Sequence, residues 1–148
     1  MNIDPLKLIP HPEGGRFREI FRAPDNVPLA DGRIRSAATH IYFHLACNEV
    51  SRFHRVAQDE IWNLYAGSLR LHLLTPSGEH SAITLSPAES CYCAVVPAGI
   101  WQAGEPLDGD CLAGCTVAPG FDFADFELLP DDHPLQSELH RLGLERFR

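Results

Sequence analysis

No stretch of the 148 residues approaches the ~20 consecutive apolar side chains that a helix needs to cross a bilayer, so no membrane partner is expected. The N-terminal Met-Asn-Ile-Asp-Pro-Leu-Lys has no basic region followed by an apolar one, so no secretory signal is expected. Positive charge is scarce: 12 Lys and Arg stand against 20 Asp and Glu, a formal net charge of -8. Nucleic-acid binders draw their affinity from basic side chains on phosphates, so a nucleic-acid partner is not expected either. The Gly-x-Ser-x-Gly elbow, the Walker loop and the dinucleotide fingerprint are missing, which disfavours serine hydrolases, phosphate-loop enzymes and Rossmann oxidoreductases. There is no internal repeat, no low-complexity tract and no sign of a second domain. The cysteines are odd in number: Cys47, Cys91, Cys93, Cys111 and Cys115. With no secretory signal, reduced thiols in a cytoplasmic protein are expected. Cys91 and Cys93 lack a second pair at zinc-ribbon spacing and read as small apolar side chains in a sheet.

What is present fits one globular domain, with 45% hydrophobic and 22% charged residues. Twelve prolines and eleven glycines punctuate the chain at short intervals. Between them lie alternating segments: Arg16 to Arg22, Ser36 to Leu45, the Leu69, Leu71 and Leu73 face, Ser81 to Leu85, Cys91 to Val96, and Asp110 to Val117. Thr75-Pro76-Ser77-Gly78 reads as a hairpin turn, and residues 23–33 as a surface loop. Many short strands with turn signals between them predict a sandwich or barrel. One helix is expected near the C-terminus, where Pro134 suits a first turn and Leu135, Leu139 and Leu142 recur at helical spacing. The predicted layout is a barrel over about 11–129 and a helical tail over about 132–148.

The most informative stretch runs from Ser51 through His54 and Glu60 to Gly67, with a second at Val96-Pro97-Ala98-Gly99-Ile100-Trp101-Gln102. In strands His54 and Val56 share a face, and Glu60 can aim into the same interior from the adjoining strand. His54, Val56, Glu60 and Gly67 fall on the four marked positions of the first cupin motif, His-x-His, Glu, Gly. Pro97-x-Gly99 followed by Gln102 resembles the second, Pro-x-Gly-x-x-His. The resemblance is closest to the Cupin 5 branch, a cupin domain family of unknown function. It runs through His11-Pro12-Glu13-Gly14-Gly15-Arg16-Phe17-Arg18-Glu19, Ile41-Tyr42-Phe43, Ser51-x-Phe53-His54-Arg55-Val56, Asp59-Glu60-Ile61-Trp62, Val95 to Ala103, and Gly114 to Glu127. It implies an all-β fold: a double-stranded β-helix, or jelly-roll barrel, with a pocket at its mouth, assembled as a homodimer.

Two metal-ligand positions depart from the general cupin pattern, since Val56 and Gln102 stand where histidines would. A metal would rest on His54, Glu60 and Gln102. An amide oxygen is a weak third donor beside imidazole and carboxylate, so no tightly held cofactor is expected and at most a weakly held divalent ion. The leading expectation is a metal-independent protein that binds a small polar molecule, of sugar or carboxylic acid type. In an isomerase or epimerase version His54 abstracts a proton, Glu60 orients the imidazole, and Tyr42 or Gln102 answers from the far side. The rivals are a metal-dependent dioxygenase or isomerase and a non-catalytic sensor. Trp62 and Trp101 are candidates to stack on a ligand. Glu13 and Arg16 would reach it if the paired-glycine turn folds over the barrel mouth, and Glu19 if it points inward. His40 and His44 are expected to face solvent. Asp122 and Asp125 read as part of a barrel-closing segment or a dimer contact.

Overall fold

A computed structural model describes residues 1–148. Thirteen strands alternate along the chain: β1 (Ile9–Pro10), β2 (Arg16–Arg22), β3 (Asn26–Pro28), β4 (Ile34–Ser36), β5 (Thr39–Leu45), β6 (Ser51–Val56), β7 (Asp59–Ala66), β8 (Leu69–Leu74), β9 (His80–Leu85), β10 (Cys93–Val96), β11 (Trp101–Pro106), β12 (Cys111–Ala118) and β13 (Phe126–Leu128). They form a six-stranded sheet in the order β1-β2-β5-β12-β7-β10, a five-stranded sheet in the order β13-β6-β11-β8-β9, and a two-stranded ribbon, β3-β4. All pairings are antiparallel, and consecutive strands cross repeatedly between the two large sheets, which is the jelly-roll arrangement.

Alternation sorts the side chains. On β5, Phe43 and Leu45 point inward; on β7, Trp62 and Leu64; on β12, Cys111, Ala113 and Cys115; on β8, Leu69 and Leu71. Together they fill the space between the sheets as one core. A second apolar cluster covers the outer face of the five-stranded sheet. There Phe53, Leu74, Trp101 and Ala103 receive Leu129, Leu135, Leu139, Leu144 and Phe147 from the C-terminal tail. The helix α1 (Gln136–Leu142) therefore docks on its own chain, and it ends at Gly143 with a positive φ of 69°.

Two expectations need correcting. Residues 23–33 are not wholly a loop: Asn26–Pro28 pairs with Ile34–Ser36 in the small ribbon. His44 does not face solvent; it is buried at 3% exposure, 3.5 Å from Asp110. His40 is half-buried, its ring nitrogens each 2.7 Å from Thr116 Oγ1 and the Tyr65 hydroxyl. All five cysteines are free, with Cys111 and Cys115 buried, Cys91 half-buried and Cys47 and Cys93 exposed. No helix is long and apolar enough to cross a membrane.

Candidate functional site

At one end of the space between the sheets lies a cavity of about 30 Å³. That is room for roughly two water molecules as the chain stands. Thr39, Ile41 and Phe43 of β5, Cys115 and Val117 of β12, and Glu60 of β7 form one wall. His54 and Val56 of β6 face them. Phe121 and Phe126 close the mouth from one side, and His11 and Glu13 enter from the turn before β2.

That turn is rigid. Gly14 has φ 111°, and a Cβ there would lie 2.2 Å from the Val50 carbonyl oxygen, so only glycine fits. The amide of Arg52 donates to the Glu13 carbonyl, tying the turn to β6. The result is that Glu13 is buried beside His54: its Oε2 lies 3.3 Å from His54 Nε2 and also 3.3 Å from His11 Nδ1. Its other oxygen, Oε1, accepts from the Ser51 hydroxyl at 2.8 Å.

Backbone partners fix both imidazoles. His54 Nδ1 is 2.8 Å from the Arg52 carbonyl oxygen, which can only accept, so Nδ1 carries the hydrogen and Nε2 presents its lone pair. His11 Nδ1 accepts from the Glu13 amide at 3.3 Å, so it too presents a lone pair. Burial lowers the pKa of His54, with the Glu60 charge acting in the opposite direction. Burial, helped by the proximity of His54, brings His11 down to about 4. Burial pushes Glu13 up to about 8, against the pull of the Ser51 hydrogen bond and the Arg52 charge. Near neutrality the centre is thus two uncharged imidazoles around a protonated carboxyl, a self-consistent set with no uncompensated buried charge.

Glu60 lines the cavity from β7 and is held differently. Gln102 Nε2 donates to its Oε2 at 2.5 Å, and the Cys115 thiol is a second donor. The Gln102 carbonyl oxygen in turn accepts from Trp62 Nε1 at 2.8 Å. Burial raises Glu60 to about 7, moderated by His54 and by these donors. His54 and Glu60 therefore open into one cavity, yet the side chain in direct contact with His54 is Glu13.

Other candidates stand elsewhere. Tyr42 lies on the outer face of β5, edge-on to Tyr65 with ring centroids 5.9 Å apart, because Ile41 and Phe43 on either side of it point inward. It has no access to the cavity. Trp101 points away from the cavity because its neighbour Gln102 points in. It is buried under the C-terminal tail, with the Arg55 guanidinium 4.5 Å from its ring centroid. Trp62 does point inward but is buried in the core, edge-on to Phe43, and holds Gln102 rather than touching the cavity. Gln102 likewise lies behind Glu60. Arg16 opens β2 at an exposed position near Lys7, away from the cavity. Glu19 pairs with Arg22 at the surface, where β2 breaks register between Glu19 and Phe21. Asp125, in the segment that closes the mouth, takes hydrogen bonds from Arg33, Arg35 and Gln58. It is a structural tie, and so is Asp122, which caps the short helical turn Phe123–Asp125.

The residues present do not fit a metal centre built on His54, Glu60 and Gln102. Val56 carries no donor, the Gln102 carbonyl is committed to Trp62, and His54 Nε2 faces Glu13. His54, Glu13 and His11 do meet, but through contacts with one another, and no group of three or more His, Cys, Asp or Glu side chains is arranged to hold a metal ion. His11 is the member of the centre that sequence reasoning missed. Its signal was the His-Pro-Glu-Gly-Gly turn, read as a carrier of Glu13 and Arg16.

Comparison with known proteins agrees with this architecture. An uncharacterised protein of Saccharomyces cerevisiae is 28% identical over 97% of this chain and 80% of its own length. The crystal structure of a protein from Shewanella oneidensis is 32% identical, covers 98% of this chain and 93% of its own, and superposes with a TM-score of 0.84. An oxalate decarboxylase from Lactobacillus farciminis, at 18% identity and a TM-score of 0.63, shares the fold over 93% of this chain and 38% of its own. The profile described as Cupin superfamily (DUF985) matches residues 1–129, and the chain belongs to that family, Cupin_5.

Proposed function

We propose that the chain binds a small uncharged carbonyl compound in the cavity and moves a proton on the carbon beside the carbonyl, in the manner of an isomerase or epimerase. One observation carries this: a neutral imidazole whose unprotonated nitrogen is Nε2, beside Glu13, lines the same small cavity as the Glu60 carboxyl, whose pKa burial raises to about 7. His54 Nε2 takes the proton from carbon. The C–H electron pair becomes the carbon–carbon double bond of an enol, and the carbonyl pair moves onto oxygen, which takes the Glu60 proton. Reversal at the other carbon, or on the other face, gives the isomer, so no co-reactant is consumed. Such a step needs a base that is unprotonated at the working pH and an acid whose pKa lies near it; burial keeps His54 unprotonated, and Glu60 stands at about 7. The lining contains no lysine or arginine, so an anionic ligand would lack a countercharge there. A carboxylate is therefore a poorer fit than a neutral aldehyde, ketone or small sugar. Anything larger than a few heavy atoms must displace Phe121 and Phe126.

The test does not need the natural substrate. Hydroxyacetone, dihydroxyacetone and glyceraldehyde are incubated with the protein in D2O, and loss of the α-proton signal is followed by NMR. Exchange faster than buffer, lowered about 100-fold or more in His54→Gln, is the expected result. Exchange at the buffer rate, or a His54→Gln variant equal to its parent, overturns the reading.

A further inference from the structure

We propose that His11 is a positioning residue of this centre: through Glu13 it gives the carboxyl proton a second resting place, which frees the His54 Nε2 lone pair for a substrate. The inference rests on the proton-transfer reading above.

Glu13 Oε2 lies 3.3 Å from each of two ring nitrogens. Both nitrogens present lone pairs, as the Arg52 carbonyl and the Glu13 amide require. An unprotonated oxygen would set lone pair against lone pair on both sides. A single carboxyl proton makes one of the contacts a hydrogen bond, and the equal distances leave the choice of acceptor open. Ser51 donates to the other oxygen, Oε1, which leaves Oε2 as the oxygen that carries the proton. When the proton points to His54, the base is occupied; when it points to His11, the base is free.

The His11 ring is held for this task. It packs edge-on against Phe17, Phe43 and Phe126 with centroids 4.6, 5.9 and 5.6 Å away. Its own backbone amide donates to the Gly15 carbonyl, which closes the turn. A plain core aromatic would need the same packing but not the lone pair. His11→Phe separates the two roles, since it keeps ring and volume and removes the acceptor.

The experiment is a long-range 1H–15N correlation of the histidine ring nitrogens in the ligand-free, 15N-labelled protein at neutral pH. In the parent, His11 is expected as the Nε2–H tautomer with Nδ1 accepting, and His54 as the Nδ1–H tautomer with Nε2 partly hydrogen-bonded. In His11→Phe the proton has only His54 to go to. The His54 Nε2 resonance then moves upfield, toward that of a full acceptor, and in Glu13→Ala it moves downfield, toward that of a free lone pair. A folded His11→Phe protein with an unchanged His54 Nε2 signal makes His11 a space-filler and overturns the proposal. If His11→Phe does not fold, the parent spectrum decides alone: a hydrogen on His11 Nδ1, or a His54 Nε2 signal at the position of a full acceptor, overturns it, and an accepting Nδ1 together with a His54 Nε2 signal between those of a full acceptor and a free lone pair supports it. None of these signals depends on a substrate. A failed exchange assay with the expected spectra would sink the isomerase reading and leave the Glu13 proton arrangement standing.

Discussion

Gln102 shows how one side chain sets the chemistry of another. Its amide donates to Glu60 and accepts from Trp62, so the carboxyl is held by a chain that starts in the core. A donor to a carboxylate favours the charged form, so removing it raises the pKa. Gln102→Leu should therefore push Glu60 above about 7, read as a later carboxyl 13C titration. It should also cost about 1–3 kcal/mol in urea unfolding, because Trp62 Nε1 is left buried without an acceptor. An unmoved Glu60 titration would mean that Gln102 does not hold the carboxyl. The sequence made His54 and Glu60 legible, since motif spacing places them on consecutive strands that share an interior, although β6 and β7 face each other from opposite sheets rather than lying side by side. It misplaced Tyr42 and Trp101, although the rule was at hand. Ile41 and Phe43 are the apolar, inward side chains, so the tyrosine between them must face out. The same alternation sends Trp101 outward once Gln102 points in. What the sequence did not carry was that the His11 turn folds back against β6, because that contact joins residues some forty positions apart.

At the scale of elements, the mouth of the cavity is closed by a segment with little regular structure of its own. Phe121 and Phe126 are held over it by the Asp125 carboxylate, which binds Arg33 and Arg35 on the β3–β4 side and Gln58 before β7. The arginine hydrogen bonds hold the carboxyl down at about 2, and the Gln58 amide adds to this. Asp125→Ala leaves the Gln58 amide and Arg35 Nε without their acceptor and takes one of its two carboxylates from Arg33, which keeps Asp31. A loss of roughly 2–4 kcal/mol is expected, toward the lower end because the Arg33 side chain stays near solvent. Amide hydrogen exchange should quicken first across 121–126 and 26–36, ahead of the central strands. Uniform quickening across the sheets would show that the cluster does not tie this segment in particular. Strands β2, β5, β8, β9, β10 and β12 were readable from alternation, β6 and β7 from the motif around His54, and the C-terminal helix from its leucine spacing. The ribbon was not, because Asn26-Val27-Pro28 is too short to show a period. Nor was the Asp125 cluster, whose arginine partners lie about ninety residues away.

Across the whole molecule, the buried groups predict an unusual stability profile in pH. Glu13 and Glu60 hold their protons in the folded chain up to about 8 and about 7, whereas unfolded carboxyls release them near 4.5. Above 4.5 the folded state therefore binds more protons, and stability falls as pH rises. His11 and His54 act the other way. Their folded pKa values are depressed, so between His11's value of about 4 and the ordinary 6.5 the unfolded chain binds more protons and stability rises with pH. The two pairs offset each other between about 4.5 and 6.5. Below that window the depressed Asp125 is lost on the way to about 2, and stability falls with acid. Above 6.5 the histidines have finished and the carboxyls alone decide. One proton is worth about 1.4 kcal/mol per pH unit, so Glu13 alone should remove about 2 kcal/mol between pH 6.5 and 8. Most proteins are flat there. Glu13→Gln keeps the shape, can still donate to His54 and accept from Ser51, and cannot titrate. Urea unfolding at half-unit steps from pH 5 to 8 should show a plateau and then a decline in the parent, with the decline cut by more than half in the variant. If parent and variant fall with the same slope above 6.5, Glu13 is ionised in the folded chain. The two imidazoles would then have to carry the compensating charge, and the neutral centre derived from the hydrogen-bond geometry would be the wrong protonation state.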